Sequence, residues 1–279
     1  MNQNIPVIII PAYNERSVIA RTLTPIYPGI EGGDFSIVLA VNGTTDDTVD
    51  FVKQTFPKVN CLDIEIGSKT NAINEAEKLN VGFPRVYMDA DVVLTLKGIK
   101  SLIDRLASTK QPLLAAPKAE MDFSHSSFLV KAFYQAWFKT KFYTEQGFGG
   151  GVYGLNEAAR SNFERFPKII ADDGFIREVV CSSQHSIVNE CISIVSAPRD
   201  IRSLIKIKSR SKLGNMELKK KGLIKNAPLT GKRFEQSPSL IEFIVYGVVN
   251  VIATKFAQRS LSSLESYTWQ KDSSSREVE

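Results

Sequence analysis

Asp89-Ala90-Asp91 sets two carboxylates one residue apart, directly after Val81-Gly82-Phe83-Pro84-Arg85-Val86-Tyr87-Met88. That run reads as a buried strand, so both acids stand where its carboxyl end meets a loop. Carboxylate oxygens are hard ligands suited to Mg²⁺ or Mn²⁺, and open α/β sheets bind ligands at that edge. An ion held by so few protein groups keeps positions for substrate phosphates. A solvated turn is the competing reading of this spacing. A second acidic pair, Asp172-Asp173, follows the strand-like Ile169-Ile170-Ala171, and its competing reading is a helix-capping pair. Gly149-Gly150-Gly151 lets backbone approach a ligand closely, but no Gly-Lys-Ser or Gly-Lys-Thr follows, which argues against a P-loop.

The elements that must position these groups alternate along the chain. Ile5-Pro6-Val7-Ile8-Ile9-Ile10 is an apolar, β-branched run of the kind found in central parallel strands, and it enters Pro11-Ala12-Tyr13-Asn14-Glu15. Residues 17–23 then have helical spacing. A second strand is predicted over 35–41, ending in Asn42-Gly43-Thr44-Thr45-Asp46-Asp47-Thr48, where Gly43 allows a tight turn and Thr44 or Thr45 can cap the next helix. A third strand over 61–66 leads through Gly67-Ser68-Lys69-Thr70-Asn71 into a helix over 72–79, and the strand before Asp89 is the fourth. Strand, loop and helix in rotation predict an α/β fold with a doubly wound, mostly parallel sheet.

With these motifs the chain resembles the family 2 glycosyltransferases, which have a glycosyltransferase A-type fold. The resemblance rests on Ile10-Pro11-Ala12-Tyr13-Asn14-Glu15, Asn42-Gly43-Thr44-Thr45-Asp46-Asp47-Thr48, Asp89-Ala90-Asp91 and Asp172-Asp173, in the family's order over residues 5–180. It implies an inverting transfer of one sugar from a nucleotide-diphosphate donor. Asp91 is then the direct metal ligand, and Asp89 supports it through the ribose or a metal-bound water. Pro11, Ala12 and Glu15 line the nucleoside pocket, although a helix N-terminal acid is the plainer reading of Glu15. Lys69 lies where members place a cation near base or phosphate, with a solvated lysine as the equal alternative. Gly150 lies in the wall beside donor sugar and acceptor. Asp173 is the expected general base, with Asp172 orienting it or binding the acceptor.

Two departures qualify the match. Asn42 stands where many members have Asp, so base reading persists with an amide, a UDP-sugar is favoured, and the base is not fixed. Val179 stands where an Arg often follows the base, with Arg177 two positions earlier. The Gln-x-x-Arg-Trp signature of processive synthases is missing, which favours single addition to a saccharide or lipid-linked saccharide. The polar ending at 269–276 is loosely similar to exopolysaccharide-type members, a lean towards cell-surface glycan assembly.

Composition fits a globular enzyme: 43% hydrophobic and 23% charged residues over 279 positions suffice for a substantial core. Cys61, Cys181 and Cys191 lack zinc-like spacing, and Met1-Asn2-Gln3-Asn4 carries no cation of a secretory leader, so the expected place is the cytoplasm. Only His125 and His185 are present, which disfavours a histidine metal centre or triad. Residues 199–233 hold 12 Lys or Arg against Asp200 and Glu217, a segment charge of +10 in a chain of +5. A solvated face, anionic lipid headgroups and a diphosphate-bearing ligand are the open readings; no aromatic-basic motif points to nucleic acid. Residues 240–257 are apolar, with Glu242, Tyr246, Asn250 and Thr254 every fourth residue. Their charge-free stretch, 243–254, is shorter than the roughly 18 to 20 residues of a membrane span. A helix in the membrane interface, as a peripheral contact on the cytosolic face, or one docked on the protein fits better. The aromatic and lysine mixture over 128–143 reads as a membrane surface or the wall of an acceptor site. The expected division is a catalytic domain over 1–198 and a basic, helical extension over 199–279. Competing activities are a sugar-phosphate nucleotidyltransferase, disfavoured because Pro11-Ala12-Tyr13-Asn14-Glu15 replaces its pyrophosphate loop, and a non-catalytic membrane-surface module.

Overall fold

A computed structural model of the chain describes residues 5–79, 82–143, 150–224 and 233–262. Val81, Gly149, positions 225–232 of the basic run and the polar ending at 269–276 lie outside the described residues. In chain order the elements are β1 (Val7–Ala12), α1 (Ile19–Leu23), α2 (Tyr27–Glu31), β2 (Ser36–Asn42), α3 (Thr48–Thr55), β3 (Asn60–Ile64), α4 (Lys69–Glu77), β4 (Arg85–Met88), α5 (Leu96–Ala107), β5 (Leu114–Asp122), α6 (Phe128–Phe138), β6 (Val152–Leu155), α7 (Glu157–Arg160), α8 (Asp172–Val179), β7 (His185–Ser196), α9 (Ile201–Lys220) and α10 (Leu240–Leu261).

The seven strands form one sheet in the order β3-β2-β1-β4-β6-β5-β7. β1 pairs in parallel with β2 and β4, and β2 with β3, while β6 runs antiparallel to both β4 and β5. β1 lies in the middle of the parallel part, and Val7, Ile8, Ile9 and Ile10 are all fully buried, which is why its sequence is apolar without alternation. The strand continues through Pro11 and Ala12, two residues beyond the apolar run. Pro11 is tolerated there because β4 pairs only with Val7, Ile8 and Ile9, so the missing N–H falls beyond that ladder. β4 starts only at Arg85, after a cis Phe83–Pro84 peptide, half the length expected of the run before Asp89.

The chain divides into two compact units. The first comprises Met1–Glu120, Phe148–Lys168 and Val179–Val195; the second comprises Met121–Gly147, Ile169–Glu178 and Ser196–Glu279. The chain enters the second unit for the last time at Ser196, after contributing two earlier segments to it. The first unit's core sets Ile8 and Ile10 of β1 and Ile37, Leu39 and Val41 of β2 against Ile99, Leu102 and Leu106 of α5.

In the second unit α6, α9 and α10 bury Val130, Phe133, Tyr134, Leu204, Tyr246 and Val249 together, with the Phe133 and Tyr246 rings stacked 5.2 Å apart. The aromatics of α6 therefore serve chiefly as core. α10 spans 22 residues and is long and apolar enough by length and composition to cross a membrane, more than its charge-free stretch implied. Glu242, which bounds that stretch, pairs with Lys139 Nζ at 2.8 Å. The four-residue polar stripe faces inward or bonds to its own helix: Tyr246 is buried, Asn250 Nδ2 donates to the Tyr246 carbonyl, and Thr254 Oγ1 donates to that of Asn250.

Candidate active site

From β1 the chain moves outward to β2 and β3, then returns across β1 to begin β4 on its other side. That reversal is the topological switch of an open α/β sheet, and the crevice beyond the carboxyl ends of β1 and β4 is its natural binding place. Asp89 directly follows β4 at this point. Its backbone N–H donates to Gly151 O at 2.8 Å, and Asp89 O accepts from Val92 N at 3.3 Å, closing the turn that carries Asp91. Ala90 is buried between two half-buried acids, with its carbonyl held by Thr22 Oγ1 at 2.8 Å. The Asp91 carbonyl accepts from Arg21 Nη2 at 3.4 Å. Val93 then bonds both ways with Ile194 of β7, so the loop is fixed on each side of the acids.

Gly151 has φ +67°, and a Cβ there would stand 2.8 Å from Val92 Cγ2 and 2.9 Å from Asp89 Oδ2. A Cβ on Gly150 would meet Ser193 Oγ at 2.1 Å and Ala119 Cβ at 2.9 Å. Gly151 is required by packing against the acidic loop, and Gly150 by packing against Ser193 and Ala119.

Lys69 Nζ lies 2.7 Å from Asp89 Oδ1, with the lysine side chain 16% exposed and the aspartate 38%. Lys69 is the first residue of α4, whose N-cap is Ser68, so the helix begins three residues before the expected start. Asn42 is buried at the end of β2, and its Nδ2 donates to Ala12 O at 2.8 Å. A carboxylate there would face that carbonyl with no proton to give, which explains the amide. The amide nitrogen is thereby engaged, and Oδ1 is the group's acceptor. Pro11 and Ala12 are buried at the end of β1, and Glu15 is buried three residues on.

Asn14 and the residues after it tie these loops together. Asn14 adopts φ 52°, in the left-handed region that a short amide side chain tolerates. Its Oδ1 accepts from Thr45 N at 2.8 Å and Asp46 N at 3.3 Å, and its backbone N–H donates to Thr44 Oγ1 at 3.1 Å. Glu15 N donates to Thr48 Oγ1 at 3.0 Å, and Arg16 pairs with Asp47 at 3.3 Å. The Thr-Thr-Asp-Asp-Thr segment therefore clamps the loop after β1. Neither Thr44 nor Thr45 caps a helix: α3 starts at Thr48, whose N–H donates to Asp46 Oδ1. Gly43, with φ +59°, lets this loop pass against Gly67, since a Cβ would lie 2.8 Å from the Gly67 Cα. An isolated Asn leaves no sequence signal; its contacts appear only when two loops meet.

Asp172 and Asp173 open α8 in the second unit. Asp172 is 2% exposed and Asp173 is exposed. Ile169, Ile170 and Ala171 form no strand; Ile170 N instead donates to Glu217 Oε2 of α9 at 2.8 Å, and Glu217 also pairs with Lys221 at 2.7 Å. Gly214 admits Ala171, whose Cβ would lie 2.8 Å from a Cβ at that glycine. α9 thus fixes the approach to the acidic pair. Arg177 lies over the Phe142 ring at 5.1 Å.

Among the described residues no three His, Cys, Asp or Glu side chains gather to hold a metal. Asp89 and Asp91 offer hard oxygens without a cage, a donor set that fits a divalent ion completing its shell with water and phosphate.

The family model described as "Glycosyl transferase family 2" matches residues 7–150. No curated protein matches the chain by sequence. Among solved structures, the fold is similar to the mannosyltransferase PcManGT from Pyrobaculum calidifontis in complex with GDP-Man and Mn²⁺, with TM-score 0.61, 18% identity, and 95% of this chain covering 76% of that one. It is similar to S. aureus TarS in complex with UDP-GlcNAc (TM-score 0.52, 14% identity, 92% of this chain and 73% of that one). Glucosyl-3-phosphoglycerate synthase from Mycobacterium tuberculosis, in complex with Mn²⁺, UDP and phosphoglyceric acid, gives TM-score 0.55 at 17% identity, over 80% of each chain. The matched segment, just over half of the 279 residues, contains β1, the switch crevice and Asp89-Ala90-Asp91, and the chain belongs to glycosyl transferase family 2.

Proposed function

We propose that the protein is an inverting, metal-dependent hexosyltransferase that moves one sugar from a nucleoside-diphosphate donor to a saccharide or lipid-linked saccharide. The reading extends to cell-surface polysaccharide assembly, in the cytoplasm and at the cytosolic face of a membrane, with no nucleic-acid partner. The observation that carries it is the carboxylate pair Asp89 and Asp91 beside Lys69 at the β1/β4 switch. Mn²⁺ in PcManGT and in glucosyl-3-phosphoglycerate synthase supports a divalent ion.

Asp91 holds Mg²⁺ or Mn²⁺, and Asp89 supports it. When bound, the ion stabilises the charge that builds on the leaving diphosphate. Lys69, neutralised by Asp89 until donor arrives, supplies a second positive charge to the phosphates. Pro11, Ala12 and Glu15 wall the nucleoside. The Asn42 oxygen is free to accept a hydrogen bond from the N–H of uracil or of guanine, its Nδ2 being held by Ala12 O, and a UDP-sugar is the favoured donor. Gly150 borders the donor sugar. Asp173, exposed at the start of α8, takes the proton of the acceptor hydroxyl, whose oxygen attacks the anomeric carbon as the carbon–oxygen bond to the diphosphate breaks. Buried Asp172 orients its neighbour.

The test is nucleotide release from a panel of nucleotide sugars with Mn²⁺ present or chelated. Slow, metal-dependent hydrolysis of a donor is the expected result. Pyrophosphate release from a nucleoside triphosphate would indicate a nucleotidyltransferase, and silence across the panel a binding module. Asp91→Asn should lower turnover about 10²–10³-fold and Asp173→Asn about 10²–10⁴-fold. Near wild-type rates in both would refute these roles.

A further inference from the structure

α10 has two apolar sides, and among the described residues only one of them is covered. Tyr246, Val249, Ala253 and Ala257 recur along one side and are buried where the helix packs on α6 and α9. The other side presents Leu240, Ile241, Phe243, Ile244, Val248 and Val251, each more than half exposed. Six large apolar side chains exposed together on one helix side make a docking surface.

Charge identifies the occupant. α9 carries seven Lys or Arg and the single acid Glu217. The second unit holds 20 Lys or Arg against 13 Asp or Glu, a net +7, whereas the first unit carries −2. Along the exposed side of α10, beyond Val251, the cations Lys255 and Arg259 join the exposed Phe256. The helix's one acid, Glu242, is engaged by Lys139 and the Ser239 N–H. An apolar strip ending in cations, backed by a cationic helix, matches the acyl boundary and headgroups of an anionic bilayer. A two-fold pairing of this face would instead bring two +7 units together, which opposes a second copy as the occupant. A spanning arrangement would require α10 to leave its buried contacts or draw the cations of α9 into hydrocarbon.

We infer that the outer side of α10 lies in the plane of an anionic membrane, Leu240 to Val251 entering the acyl boundary and the exposed cations Arg202, Lys206, Lys219 and Lys220 of α9, with Lys255 and Arg259 of α10, meeting the headgroups. The inference rests on the membrane-face placement proposed above and gives it a surface; it does not depend on the transfer chemistry.

The test is sedimentation of the full chain with phosphatidylcholine vesicles, with and without phosphatidylglycerol, for the wild type and the triple variant Ile244→Ser/Val248→Ser/Val251→Ser. Thermal unfolding of both proteins shows that the exposed substitutions leave the fold intact. Wild type should bind the phosphatidylglycerol vesicles, release with added salt and leave the membrane in alkaline carbonate. The triple variant should lose about a hundredfold in partitioning. No binding to either vesicle, or binding unchanged in the variant, overturns the inference. So does a dimer in sedimentation velocity that the substitutions dissociate, or carbonate-resistant insertion. Nucleotide release from the same preparations is read separately, so a wild type that releases nucleotide but binds neither vesicle refutes the membrane surface alone.

Discussion

Lys69 occupies the first position of α4, where its charge opposes the helix dipole and an acid would ordinarily be favoured. The ion pair with Asp89 accounts for a cation at so poor a place, and the same pair keeps one carboxylate of the crevice oriented. Gly151 has comparable local consequences. Gly151→Ala would force a left-handed residue to place its Cβ within 3 Å of Asp89 and Val92. The expected outcome is a fall in melting temperature corresponding to about 1–2 kcal/mol, together with weaker metal-dependent nucleotide binding, both read by thermal shift. The two acids were legible in the sequence because they follow an apolar run at a recognisable spacing. The Asn42 bond to Ala12 and the Asn14 clamp were not, because both depend on where neighbouring loops pass.

At the scale of elements, β4 is anchored at its amino end by a buried ionic network. Glu77 of α4, with its side chain 7% exposed, accepts from Arg85 at 2.8 Å, Arg160 at 2.7 Å and Tyr87 Oη at 2.7 Å. Burial alone would push its carboxyl up, but the hydrogen bonds from Arg160 and Tyr87 and the two guanidinium charges hold it below the usual carboxylate range. Its contribution is therefore complete above its unfolded value near ~4.3 and lost as pH falls through the lower folded value. Glu77→Gln should cost about 3 kcal/mol at neutral pH, measured by denaturant unfolding, and flatten the acid limb of the stability profile.

In α9 the sign reverses. Burial, with repulsion from Lys212, pushes Lys208 down to about 8, although the rings of Phe133, Tyr134 and Trp137 lie 5.3, 4.8 and 5.2 Å from its ammonium. Unfolded lysine titrates near ~10.4, so between these values the unfolded chain binds more protons and stability rises with pH. Lys208→Met should abolish that rise, as unfolding at about pH 7 and pH 10 would show. Strand positions followed from apolar runs, but boundaries moved wherever a distant group intervened. Ile169-Ile170-Ala171 is apolar yet joins no sheet, because Glu217 takes the Ile170 N–H. α10 outruns its charge-free stretch because a capping box of Ser239 and Glu242 starts it and Lys255 and Arg259 sit on its exposed side.

Across the whole molecule, the strand order β3-β2-β1-β4 converts a linear alternation of elements into one topological switch between β1 and β4. Four motifs separated by tens of residues made the fold class and the family readable, since each ends a strand or opens a helix. The two-unit division was less readable, because the second unit gathers 121–147 and 169–178 with the C-terminal segment, which neither composition nor charge reveals. The central claim is that Asp89 and Asp91 at that crevice hold a divalent ion against a nucleoside diphosphate. Calorimetric titration of UDP and GDP into wild type and Asp91→Asn, with Mn²⁺ and with chelator, tests it most directly. The account predicts binding of at least one nucleotide by wild type that requires Mn²⁺ and is weakened about a hundredfold in the variant. Equal affinity with chelator, or in Asp91→Asn, would contradict it.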